Sequence, residues 1–302
     1  MSKQPPILVV NKPRKARKVS STKKKTSSTR KGKRRKRHSS REIPHWLRVI
    51  LTICTVVAFS LAFYYFFIRP YAYRWKPCYG CKEYGVCMPV GYEVHGIDIS
   101  HFQGQIDWQQ LSNVQSLKFP ISFVFMKATE GGDLKDETFE QNFKSAREHG
   151  FIRGAYHFFN PKTSAQKQAD FFINTVKLDT GDLPPVLDVE KIGDLNQKSL
   201  KTELRIWLNR VEQHYKVRPI LYTSYKFKTK YLSDTVFDTY PYWIAHYYVD
   251  SVKYQGKWQF WQHTDVGSIK GIPESVDLNI FNGTLDELSQ MTIGKINKEK
   301  EQ

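Results

Sequence analysis

The stretch PPVLDVE, residues 184–190, closes an apolar run on two carboxylates one residue apart. If Val186, Leu187 and Val189 lie in a strand, its period of two puts Asp188 and Glu190 on one face, about 6.5–7 Å apart along the backbone. Acids at a strand tip either cap a sheet with solvated charge or meet inside a site. The flanking sequence separates these readings.

Working outward, seven more short β-rich runs follow the same rhythm: HGIDIS (95–100), FVFMKATEG (123–131), RGAYHFF (153–159), PILYTS (219–224), YWIAHY (242–247), WQFWQHT (258–264) and VDLNIF (276–281). Helical patterns separate the earlier ones, at 106–114, 136–150, 164–178 and 199–215, whereas the last three strands have only short connections. Strand–helix alternation predicts a parallel sheet, and eight strands predict closure into a barrel. The fold class is therefore α/β, an eight-stranded TIM-like barrel with an incomplete helix ring. In such barrels the active site is built at the C-terminal ends of the strands. Asp188 and Glu190 end the fourth strand, Asp98 lies near the end of the first, Glu130 ends the second and His157 lies near the end of the third. Asp277 opens the last strand, so it reaches that rim only through a shifted boundary or a long preceding loop.

The chain has 302 residues and a net charge of +18, which by itself suggests a nucleic-acid binder. The charge is localised, however. Residues 1–45 hold 17 Lys or Arg and one acid, Glu42, for a net +16, while residues 46–302 hold 30 basic and 28 acidic residues, a net +2. The basic tail lacks apolar periodicity and is expected to be disordered. It is followed by an uncharged stretch, Val49 to Ile68. At about 1.5 Å per helical residue this spans roughly 30 Å, the thickness of a bilayer's hydrocarbon core. Bulky Tyr64, Tyr65, Phe66 and Phe67 at its end suit a membrane interface rather than a cleavage site. The positive-inside bias predicts a single-pass protein with residues 1–45 cytoplasmic and the C-terminal portion outside, the tail adhering to membrane lipid rather than to nucleic acid. Cys78, Cys81 and Cys87 cluster just beyond the span, an incomplete set for zinc; an oxidising exterior favours one disulfide among them. The expected organisation is a disordered basic tail (1–45), a transmembrane helix (46–69), a Cys-containing linker (70–93), the barrel (94–290) and a polar C-terminal tail (291–302).

The motifs GIDISHFQGQIDW, FMKATEG, GAYHFF, PVLDVE, WIAHY, FWQHT and VDLNIF resemble, in order, those of glycoside hydrolase family 25, muramidases that cut bacterial cell-wall glycan. The resemblance covers roughly residues 94–290 and implies a barrel of eight strands with about five helices. It places the family's acidic cluster on Asp98, Asp188, Glu190 and Asp277, with Glu190 as general acid and Asp188 as its partner across the scissile bond. Such a pair answers the chemistry: an alkoxide leaves poorly without a proton, and an oxocarbenium-like transition state needs nearby negative charge. Like charge between neighbours would keep Glu190 protonated while Asp188 ionises. Whether Asp188 attacks, activates water or orients the substrate's N-acetyl group stays open, with the resemblance favouring the last.

Candidate substrate contacts are Tyr156, Trp243 and Tyr247, whose rings present faces for sugars, together with His157, Glu130 and Gln262. Each has a structural alternative, in core packing or rim hydrogen bonds. The reading requires neither cofactor nor metal. The family's members often carry repeated wall-binding modules; the membrane anchor in this chain instead suggests local wall editing. Three rival readings make different demands on the sequence. A family 18 chitinase carries DxxDxDxE, but aligning its end on Asp188 and Glu190 puts Leu183 and Val186 where further acids belong. A catalytically silent, membrane-tethered peptidoglycan-binding scaffold is opposed by retention of all four acids. A nucleic-acid role for the basic tail is matched equally well by anionic lipid.

Overall fold

The computed structural model describes residues 43–69, 82–113 and 118–294. It divides into two compact units, Met1–Phe66 and Phe67–Gln302. In the first, an α-helix over His45–Phe63 runs into a π-turn over Tyr64–Ile68, with none of its residues buried. The 24-residue stretch His45–Ile68 contains an 18-residue run of mean hydropathy 2.2 and is long and apolar enough to cross a membrane. Thr52 and Thr55 donate their hydroxyls to the carbonyls of Arg48 and Leu51, at 2.9 and 2.8 Å, so these polar groups are satisfied within the helix, as an apolar solvent requires. The basic tail up to residue 42, and Cys78 and Cys81, lie outside the described residues; Cys87 is disulfide-bonded.

The second unit contains eight barrel strands: β1 (Val94–Ile99), β2 (Ile121–Glu130), β3 (Ile152–Phe158), β4 (Val186–Asp188), β5 (Ile220–Ser224), β6 (Tyr242–Ala245), β7 (Phe260–Gly267) and β8 (Val276–Phe281). Five helices follow the first five strands: α1 (Trp108–Ser112), α2 (Phe139–Glu148), α3 (Ala165–Thr175), α4 (Gln197–Tyr215) and α5 (Tyr225–Tyr231), and α6 (Leu285–Gln290) follows β8. α5 had no counterpart among the sequence patterns. Pairing of β1 with β2 closes the sheet.

The parallel pairing expected from strand–helix alternation holds for the first seven strands and fails at the eighth. β8 runs antiparallel to both neighbours, β7 and β1. Residues 268–275, between β7 and β8, are fewer than the dozen or so that a parallel crossover needs. This reversal brings the start of β8 to the C-terminal end of β1, and Asp277 pairs directly with Asp98. No shifted boundary or long loop is required.

Two apolar layers hold the barrel. Inside, Phe123, Phe125, Val186, Ile220, Trp243, Phe260 and Phe281 pack together. A Cβ at Gly96 would lie 2.4 Å from the Phe123 ring and one at Gly154 2.5 Å from Phe125, so two glycines make room for two phenylalanines. Outside, alternate strand residues such as Val124, Met126 and Leu187 meet the helices. α4 buries Leu200, Leu204, Trp207, Leu208 and Val211 on one face, and Asn196 caps it by accepting from Ser199 N at 2.9 Å. β4 is short because Pro184 and Pro185 precede it and offer no N–H. Pro185 still accepts from Ile220 N at 2.8 Å, and Val189 extends the ladder by donating to Tyr222 O at 3.0 Å.

The compact unit also reaches beyond 94–290. Tyr84, in a turn between short strands Lys82–Glu83 and Val86–Cys87, is buried and donates to Phe119 O at 2.5 Å. At the other end Ile293 N donates to Asp182 O at 2.8 Å and Gly181 N to Ile293 O at 3.0 Å, which packs residues 291–294 onto the barrel.

Candidate active site

A cavity of about 180 Å³ opens at the C-terminal ends of the parallel strands. Every strand contributes to its lining: Asp98 from β1, Lys127 from β2, Tyr156 from β3, Asp188 from β4, Tyr222 from β5, Trp243 from β6, Gln262 from β7 and Asp277 from β8. Ser100, Phe102, Phe158, Glu190 and Tyr247 complete it, from strand ends and the loops that follow. The four acids singled out by the sequence thus share one small space.

Asp98 and Asp188 are buried, Asp277 is half-buried and Glu190 keeps access to solvent. Burial raises the pKa of all four. For Asp98 it outweighs hydrogen bonds from Asn279 and Gln262. For Asp277 the negative charge of Asp98 adds to it. Asp188 is pushed well above the carboxylate range by burial and then by the charges of Glu190 and Asp98, with Lys127 opposing. Its Oδ1 is buried without a hydrogen-bond partner. Glu190 is raised by burial, against the cations Lys191 and Lys127. One lysine and four acids line the cavity, an arrangement that holds protons at neutral pH and invites a partially positive or N–H-bearing ligand.

Residues 97–272 match the family described as Glycosyl hydrolases family 25. The chain belongs to glycoside hydrolase family 25. It is 41% identical over 229 residues to the uncharacterized protein YegX of Escherichia coli strain K12, covering 76% of this chain and 82% of that one. It is 35% identical over 210 residues to Lysozyme M1 of Streptomyces globisporus, covering 65% of this chain and 70% of that one. Among solved structures, the bacterial lysozyme of Streptomyces coelicolor superimposes with a TM-score of 0.61 at 33% identity, covering 67% of this chain and 98% of that one.

The family 25 barrel treats the remaining candidates unequally. Tyr156 and Tyr247 line the cavity half-buried. Trp243 also lines it, but only 1% of its surface is exposed. Phe125 stacks on it at 4.4 Å and its Nε1 donates to Asn279 at 2.8 Å, so it forms the floor rather than a free platform for sugar. Gln262 is buried, with its amide engaged entirely by protein groups. Glu130 is not in the lining; it accepts from Lys127 Nζ at 2.6 Å. His157 is a correction. Strand alternation turns it away from Tyr156 toward the helices, where it stacks on Trp207 and bonds Thr129 at 2.7 Å and Gln168 at 3.0 Å. Burial lowers its pKa to about 4, so it stays neutral there.

Sequence reasoning passed over Lys127, Tyr222, Asn279 and Phe102. Lys127 is two and four residues beyond Phe125 and Phe123, and Asn279 two beyond Asp277, so the period of two already put them on inward faces. Phe102 is 70% exposed on the turn after β1 and carried no such signal.

Proposed function

We propose that this chain is a peptidoglycan hydrolase, a muramidase that cleaves the β-1,4 bond between N-acetylmuramic acid and N-acetylglucosamine. The observation that carries the reading is the pair Asp188 and Glu190 in the acid-lined cavity of a family 25 barrel. Glu190 is the general acid: it is reachable at the rim, and its raised pKa keeps a proton available for the leaving oxygen. Asp188 is its partner. Burial raises Asp188 more than Glu190, so its ionisation calls for a donor that favours the charged form. The unpartnered Oδ1 supplies the acceptor, and an acetamide N–H of the substrate is a donor of the right chemistry. That pairing favours participation of the N-acetyl group over direct attack by Asp188. The Asp98–Asp277 pair places one negative charge at the floor, and Tyr156, Tyr247 and Phe102 provide ring surface for the sugars.

The helix over His45–Ile68 crosses the membrane, with residues 1–45 inside, adhering to lipid, and the barrel on the wall side. This tether restricts hydrolysis to wall beside the membrane. Protease added to intact spheroplasts is expected to remove the barrel; a protected barrel with a cleaved tail reverses the orientation. The catalytic test is incubation of the full chain with peptidoglycan. Soluble glycan fragments are expected from the wild type and not from Asp188→Asn or Glu190→Gln, whereas wild-type binding without release makes the protein a tethered scaffold.

A further inference from the structure

Gln262 lies under the cavity with no hydrogen-bonding capacity left. Its Nε2 donates to Asp98 Oδ2 at 2.7 Å and to Asp277 Oδ2 at 2.9 Å. Its Oε1 accepts the hydroxyls of Tyr222 at 2.6 Å and Tyr247 at 2.5 Å. A primary amide has two N–H donors and two acceptor sites, so all four are taken. These partners also fix which way the amide points, since the flipped form would turn its carbonyl oxygen on two carboxyls. Sugar hydroxyls have nothing to bond to on this side chain.

We propose that Gln262 is a positioning residue for the muramidase reaction, which fixes Asp98 beside Asp277 across the β1–β8 ladder and keeps Asp98 the charged member of the pair. The proposal rests on the muramidase reading. Two carboxyls at directly opposed ladder positions in a buried site do not both ionise, and one proton stays between them. The donors decide where the charge sits. Asp98 Oδ2 accepts from both Gln262 and Asn279, the latter at 2.7 Å, while Asp277 accepts from Gln262.

The neighbours on other elements give the charge no help. Glu190 and Asp188, from the end of β4, and Tyr156, Tyr222 and Tyr247, from β3, β5 and the loop after β6, face Asp98; Asp265 of β7 faces Asp277. All are acids or phenols. Lys127, the cation in the cavity lining, acts on Asp188 and Glu190. The amides of Gln262 and Asn279, with the hydrogen bond from Asp277, are thus what favours a fixed negative charge on Asp98 at the floor, beneath the position where an oxocarbenium-like sugar develops positive charge.

The test uses the full chain in detergent with Gln262→Met, which fills similar space and removes the donors. Asp98 then keeps its proton to higher pH. The acid limb of the kcat/KM profile is expected to move up by about one to two pH units. At a pH between the old and new limbs, kcat is expected to fall about ten- to hundredfold with KM within about twofold. Carboxyl ¹³C NMR of Asp-labelled protein should show the Asp98 midpoint rising by the same amount. That readout needs no turnover: an inactive wild type defeats the muramidase reading, while the titration still decides the role of Gln262. An unmoved titration and pH limb in folded Gln262→Met overturn the proposal, even if melting temperature and active fraction drop. If Gln262→Met does not fold, half-buried Tyr247→Phe removes one of the hydroxyls that hold the amide. It is expected to shift limb and titration in the same direction, by up to about half a unit; no shift overturns the proposal.

Discussion

The two ends of the barrel handle buried charge in opposite ways. At the N-terminal end, Arg153 of β3 grips Asp182, which precedes β4, through Nε to Oδ1 at 2.7 Å and Nη2 to Oδ2 at 3.1 Å. Asp182 also accepts from Arg147 at 3.0 Å and from Asp179 N at 2.8 Å, and the Arg153 guanidinium lies 3.8 Å over the Phe143 ring and donates to Phe143 O at 2.6 Å. Every charge there has partners. At the C-terminal end four carboxyls line a cavity whose one lysine, Lys127, is bonded to Glu130 at 2.6 Å, and an oxygen of Asp188 has no partner. Paired charge at one end serves cohesion, and unpaired charge at the other is a reserve for chemistry, the division expected of barrels that work from their C-terminal face.

The sharpest contrast comes from single substitutions at the two ends. Glu190→Gln keeps shape and removes the acid, so turnover of peptidoglycan is expected to fall by roughly 10²–10⁴-fold while melting temperature stays near wild type. Arg153→Met leaves Asp182 buried without its main partner and is expected to cost about 3–5 kcal/mol in denaturant unfolding, with activity per folded molecule unchanged. If Arg153→Met slowed the folded enzyme, or Glu190→Gln unfolded it, the division between the ends would fail.

A pH series sharpens the same contrast. The acids of the cavity have folded pKa values above their unfolded ones, so the stability they contribute is full below the ordinary carboxylate range and is lost as pH rises through the raised values. Melting temperature is therefore expected to rise as pH falls from about 7.5 to about 5. Asp188→Asn should flatten that rise, and near neutrality it should melt at or above the wild-type temperature. A wild-type melting temperature that falls over this window would contradict the account of unpaired acids. The smallest effect is expected from Phe102→Ala at the rim: KM for glycan rising about two- to tenfold from lost ring contact, with stability within about 0.5 kcal/mol.

Strand positions and the acid cluster were legible because period-two alternation and residue type survive without coordinates. Strand direction was not, since an antiparallel strand has the same period as a parallel one; only the short connection over residues 268–275 distinguished β8. Tyr156 and His157 are adjacent, so one strand could not aim both at the cavity, and β3 turned His157 outward. Gln262 reads from sequence as a sugar contact, whereas its commitment to two acids and two tyrosines depends on β1, β5, β7, β8 and the loop after β6 meeting, which no local pattern announces. α5 was hidden because only Phe227 and Lys228 of its seven residues are buried, too few for an apolar stripe.

The central claim is that the acids closing PPVLDVE cut muramyl bonds, and the end groups of the released glycan test it most directly. Digestion of peptidoglycan by the full chain, followed by borohydride reduction and mass spectrometry, is predicted to yield fragments with reduced N-acetylmuramic acid at their ends, absent with Glu190→Gln. Fragments ending in reduced N-acetylglucosamine, or equal release by Glu190→Gln, would contradict it.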